Sequence, residues 1–398
     1  MKKVLFYFCF FGIAAFLASI GVCLAIITNM VYKNHPDYFS ANIFVGILTA
    51  VCAVWLSLLL HESAHAVSYK LSGCKIRAFY IFPVCFVKEN KKFKVTLAVN
   101  GLLGFGGIVI PELTPCRNEY DIRKIYRAFQ RSLMAAPLFS AALGSVSLLL
   151  MIFVTDKINV NIRSAFFIFF GFCVLTAAYI NITSLLSFAG LIGDYAAFHM
   201  LKSNQSYALI QFYNELMLQN TYVKSELRKE KYFYSIILRY VDEIYLNNDK
   251  CVLNSEICSL MDIIFYENII MDAHESDETE LKLLFKILDH DLKIIEDRLK
   301  FETYSKFFCH MLIFMCCHGQ YDKAVLLWEK YSDMIPNNRN GRYCIAQSEA
   351  LFGKETDECL NKKVYISSMD NIFSHFNNYY DDENKINLKL TNKPIQRN

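Results

Sequence analysis

The chain alternates between two kinds of hydrophobic pattern, and the change comes near residue 200. Before it, apolar residues run in tracts of about twenty or more, the length that crosses a bilayer as a helix. Four such spans are expected, at about Val4–Met30, Ala41–Tyr69, Leu133–Val154 and Ser164–Ala189. After it, apolar residues recur at helical spacing among charges, as in Tyr222–Leu246, Thr279–Leu299 and Phe301–Cys317. Between the second and third spans, Arg77–Val87 and Lys92–Ile110 are rich in β-branched and aromatic residues, with Lys88-Glu89-Asn90-Lys91 as a turn. That pattern predicts a β-hairpin or small sheet. Gly101, Gly104, Gly106 and Gly107 follow it, where backbone can bend or approach closely.

The fold class that results is mainly α: a membrane core of about four helices with a small β-hairpin region, then a soluble helical domain. The expected domains are residues 1–200 in the membrane, 201–378 as helices, and a polar tail from 379 to 398 expected to be disordered. His318-Gly319-Gln320-Tyr321-Asp322-Lys323-Ala324, leading to Trp328 and Pro336, resembles one turn and helix of a tetratricopeptide repeat. No second clean copy stands at that period, so a packed helical domain is the firmer expectation.

Charge refines this picture. The net charge of +3 conceals a basic first half and an acidic second half, with runs such as Glu275–Glu280 and Asp381-Asp382-Glu383. No stripe of basic residues points to nucleic acid. Lys and Arg crowd the connection from Lys70 to Ser132, which marks it as cytoplasmic and places both termini inside as well. The start, Met1-Lys2-Lys3 before an apolar run to about Thr28, reads as an uncleaved anchor in a bacterial cell membrane. The cysteines form no CxxC pair; those within apolar tracts act as small hydrophobes, and the later ones suit a reducing compartment.

The candidate chemistry lies at the end of the second span. His61 and His65 are four apart on a helix and project from one face, so both imidazoles can serve one Zn2+ ion. Glu62 stands beside them as the proton acceptor for an activated water. Leu58-Leu59-Leu60 precede the group and put it at membrane depth, where ionisable residues are costly and mark function. A third ligand is required, and Asp194, in the apolar stretch Leu191-Ile192-Gly193-Asp194-Tyr195, is the first choice. His199 and Glu112 are rivals.

These residues resemble the site-2 protease family of intramembrane metallopeptidases, over about Ala41 to His199. The family carries HExxH in one core helix, a Gly-Pro-x-x-Asn-like sequence in the next, and Asn-x-x-Pro leading to Asp-Gly in a third. Here the second element is similar to Ala135-Ala136-Pro137-Leu138-Phe139-Ser140, and the third to Asn181-Ile182-Thr183-Ser184 followed by Asp194. The third lacks the proline and has Tyr195 where Gly is usual. The resemblance implies Asp194 as third ligand and Asn181 as a substrate-binding residue. It also implies cleavage of a membrane protein or membrane-bound precursor peptide within or beside a span. Two alternatives stand beside it. One is a membrane zinc protease of the HtpX type, with a downstream Glu such as Glu243 as third ligand. The other is a non-enzymatic membrane-tethered scaffold whose helical domain binds a protein partner.

Overall fold

The computed structural model describes residues 42–89, 92–97, 107–188, 191–248, 250–271, 278–354 and 381–392. They are mainly helical, with one small four-stranded antiparallel sheet. The span expected at Val4–Met30 lies outside the described residues. Three described helices are long and apolar enough to cross a membrane: Ile43–Leu71, the long Glu119–Phe153, and Ile162–Ser184. The described chain divides into two compact units. One comprises residues 42–71 and 129–199; the other comprises 72–128 and 200–392. The connection 72–128 falls in the second of these units.

In the first unit, helix α1 (Ile43–Leu71) is built inside out relative to a soluble helix. Its buried residues are small or polar: Ala53, Ser57, His61, Glu62, His65 and Ser68, with Tyr69. Its large apolar residues, among them Phe44, Leu48, Val51 and Val67, are exposed. Lipid makes this arrangement favourable, because tails solvate apolar side chains while helices pack through small ones. Residues 53, 57, 61 and 65 recur every four positions, which puts them on one stripe. Helix α2 (Glu119–Phe153) contributes its part from Phe129 onward to this unit. Pro137 inside it donates no backbone hydrogen bond and opens one rung of the helix. Helix α3 (Val160–Ser184) packs along α1. It also comes so close to α2 that a Cβ on Gly144 would stand 2.7 Å from the Ala177 Cβ.

The span expected to run to Ala189 ends at Ser184. Ser187–Phe188 (β5) pairs antiparallel with Leu191–Ile192 (β6), and helix α4 (Asp194–Ser203) starts directly after. The apolar run is therefore a helix end plus a short hairpin. Apolar composition alone does not separate the two, because both forms bury the same side chains.

The second unit opens with the sheet: β1 (Lys75–Ile81), β2 (Val84–Glu89), β3 (Lys92–Leu97) and β4 (Gly107–Glu112), in the order β3-β2-β1-β4. The stretch Arg77–Val87 holds two strands, turned at Phe82-Pro83, where proline offers no N–H to a ladder. Ala78, Tyr80, Cys85, Val87 and Ile110 form one buried cluster with Leu218.

The described helices that follow are α5 (Gln205–Met217), α6 (Thr221–Lys229), α7 (Tyr232–Val241), α8 (Ser255–Met271), α9 (Glu278–Lys286), α10 (Leu292–Arg298), α11 (Glu302–Cys317), α12 (Tyr321–Tyr331), α13 (Arg339–Leu351) and α14 (Asp381–Asn392). Tyr222–Leu246, read as one periodic segment, breaks at Lys231, which takes a left-handed φ of 48°. α8 and α11 form the core, where Phe265 stacks on Phe307 at 5.8 Å and on Phe314 at 4.5 Å. Gly319, at a φ of 75°, turns α11 into α12. That helix–turn–helix is one pair and does not by itself make a repeat array.

The tail expected to be disordered holds helix α14. Ile386 and Leu390, four apart, are buried, and Asp382 is paired with Lys224 at 2.9 Å and Arg228 at 2.8 Å. The polar composition that suggested disorder supplies the anion that two buried cations need.

Candidate metal centre

His61 and His65 are placed by the helix itself, four residues apart on the buried stripe of α1. Their rings meet edge to face with centroids 5.0 Å apart. Asp194 is placed by the chain reversal after α3. Gly193 N donates to Leu186 O at 2.9 Å, and Ala197 N donates to Gly193 O at 2.8 Å, opening α4. Gly193 has no room for a side chain: a Cβ would stand 2.3 Å from Thr183 O and 2.6 Å from Ser184 Cα. The hairpin and this glycine fix where α4 begins, and so where its first carboxylate points.

The result is that Asp194 Oδ2 lies 3.3 Å from His61 Nε2 and 3.4 Å from His65 Nε2. Among the described residues this is the one group of three or more His, Cys, Asp or Glu side chains with metal-ligand geometry. The separations test whether zinc fits. Ligand atoms about 2.0–2.1 Å from a tetrahedral zinc stand roughly 3.3–3.4 Å from each other. A direct charge-assisted hydrogen bond would be nearer to about 2.7–2.9 Å. The two Asp194 distances have the length of such edges, and all three ligand atoms lie within 4.8 Å of one another.

The other ring nitrogens are engaged by α2. His61 Nδ1 is 3.0 Å from Ser140 Oγ, and His65 Nδ1 is 3.0 Å from Ser132 Oγ. Ser132 also donates its hydroxyl to His65 O at 3.4 Å, so its oxygen accepts from the His65 Nδ1–H. That tautomer leaves the Nε2 lone pair toward Asp194. Both serines are fully buried, and sequence reasoning gave them no role. Ser140 was legible only as the last position of the Ala135–Ser140 stretch, and Ser132 only as the end of the basic connection.

Glu62 is buried on the same helix, about 100° around from His61 and about 60° from His65. Asn181 is half-buried, and its Nδ2 donates to Ala177 O at 2.9 Å, one turn back in α3; it makes no hydrogen bond to His61, His65 or Asp194. His199 is exposed against the Phe198 ring and lies outside the group. Glu112 is on β4, paired with Lys88 across the sheet at 2.5 Å. Glu243 falls in the π-helical turn after α7 and is likewise outside the group. No protein-family model matches the chain, and no curated protein or solved structure matches it.

Proposed function

We propose that this chain is an intramembrane zinc metalloprotease that hydrolyses a peptide bond in or next to a transmembrane segment of a membrane protein or membrane-bound precursor peptide. One observation carries the reading: Asp194, far from the histidines in sequence, meets both Nε2 atoms at the spacing of zinc ligands. His61, His65 and Asp194 would hold the ion, which leaves a fourth position for water or substrate. A zinc ion bound there would supply Lewis acidity and lower the pKa of a bound water toward neutrality.

The chain's own residues supply the rest. Glu62 accepts the proton of the attacking water and returns it to the leaving amine. Ser132 and Ser140 hold the imidazoles in one tautomer and orientation by bonding the ring nitrogens that face away from Asp194. The apolar outer face of α1 keeps the group inside a lipid-facing helix layer, where a membrane-spanning substrate can approach laterally. Asn181, through the family resemblance, is the proposed substrate contact.

The wider picture belongs to the same reading. A further span at about residues 4–30 would put both termini in the cytoplasm of a bacterial cell, and the helical half would act there in tetratricopeptide-like fashion. The test is Glu62→Gln in cells. Comparative membrane proteomics is expected to show one or more full-length membrane proteins or precursors accumulating in the variant. Identical cleavage patterns in wild type and variant would remove the enzyme assignment.

A further inference from the structure

A cavity of about 570 Å³ lies within the second unit, walled by α5, α8, α11 and α14. That volume is in the range of built ligand sites. Its lining includes three carboxylates, Asp262, Glu302 and Glu383, against one ammonium, Lys306, together with Tyr213 and Tyr266. Lys306 shows what the walls accept. Its Nζ sits 3.2 Å from Asp262 Oδ2 and 5.7 Å from the centre of the Tyr266 ring. A carboxylate beside an aromatic face attracts a cation. The carboxylates are held in place: His310 lies 2.6 Å from Asp262, and Glu383 accepts from Tyr266 at 3.1 Å and Tyr343 at 2.9 Å. Lys306 is half exposed on a flexible stem, so it can leave Asp262 to an incoming ammonium.

We propose that this cavity docks a basic, extended peptide segment, with Lys or Arg side chains taking the carboxylate–tyrosine positions. The segment would be the cytosolic flank of the membrane substrate, because flanks on that side of a span carry excess Lys and Arg. This identification of the occupant rests on the protease reading; the affinity for basic peptide does not.

The experiment uses the full chain in zwitterionic nanodiscs and a short fluorescein-labelled peptide of Lys, Ser and Tyr, with its Glu-for-Lys counterpart as control. Anisotropy is expected to show binding of the basic peptide alone, weakening with salt. Lys306→Ala, which removes the competing ammonium, is expected to tighten binding about threefold. Glu302→Lys, on an exposed position at the mouth, is expected to weaken it about tenfold. Glu278→Lys, an exposed acid on α9 outside the cavity, is expected to leave it unchanged. Equal binding of the two peptides would overturn the proposal, as would looser binding by Lys306→Ala or equal losses from Glu278→Lys and Glu302→Lys. The assay reads binding without cleavage and is repeated on Glu62→Gln. A negative result here leaves the protease reading standing, and an inactive or metal-free chain leaves this site standing.

Discussion

At the scale of residues, His61 and His65 each have one ring nitrogen at a serine of α2 and the other at Asp194. Partners of this kind fix the ring and its tautomer, and losing one typically lowers metal affinity about 10–100-fold. Ser132→Ala and Ser140→Ala are therefore expected to weaken zinc binding by that order, read by chelator competition, while the chain still inserts and folds. Unchanged affinity in both variants would show that the serines only fill space. Gly193 makes a sharper case. Its Cβ position is already filled by Thr183 O and Ser184 Cα, so Gly193→Ala must displace the start of α4. Zinc affinity should fall by at least about tenfold, since site geometry tolerates only about 0.5 Å of error. Ala197→Gly, on the same helix, is the control expected to retain the metal. As candidates, His61, His65 and Asp194 were legible in sequence because i, i+4 histidines in an apolar run have little structural use, and because Asp194 interrupts another apolar run. The serines were not, since serine in an apolar helix ordinarily bonds back to its own backbone, as Ser57 does to Ala53 O at 2.8 Å.

At the scale of elements, periodicity located the helices and missed where they stop. Leu185–Ala189 is as apolar as the span before it; only the pairing of β5 with β6 distinguishes a hairpin there from more helix. Lys231 broke a periodic segment through a backbone angle that side-chain pattern does not encode. Helix α14 is the instructive miss. Its Asp382 reads as a solvated acid until Lys224 and Arg228 are seen buried against it. Removing one partner of such a group costs about 3–5 kcal/mol, because the others remain charged and buried. Asp382→Asn is expected to lower the melting temperature of the second unit and to release α14 to proteolysis. Burial raises the Asp382 carboxyl, and Arg228 and Lys224 more than offset that, so its folded-state pKa lies below the ordinary value. Its contribution is thus full above the ordinary Asp range and lost as pH falls through the depressed value. The gap between wild type and Asp382→Asn should close on acidification; a constant gap would mean that the charge is not what holds α14.

At the scale of the whole molecule, the contrast between apolar tracts of membrane-spanning length and amphipathic helices follows from composition and pattern. The placement of 72–128 does not. That stretch lies between two spans in sequence, yet its sheet shares a core with Leu218 through long-range contacts that no local pattern reports. The candidate site shows the same separation along the chain: His61 and His65 come from one helix turn, and Asp194 follows a four-stranded sheet, two long helices and a hairpin. The account stands on those three side chains meeting at one ion. The direct measurement is zinc content of the purified full-length chain by mass spectrometry, for wild type, Asp194→Ala and Glu62→Gln. The expected result is about one zinc per chain in wild type and Glu62→Gln, as for a single three-ligand catalytic site, and loss of it in Asp194→Ala. A wild-type chain that takes up no zinc, or an Asp194→Ala chain that keeps it as tightly, would contradict the account.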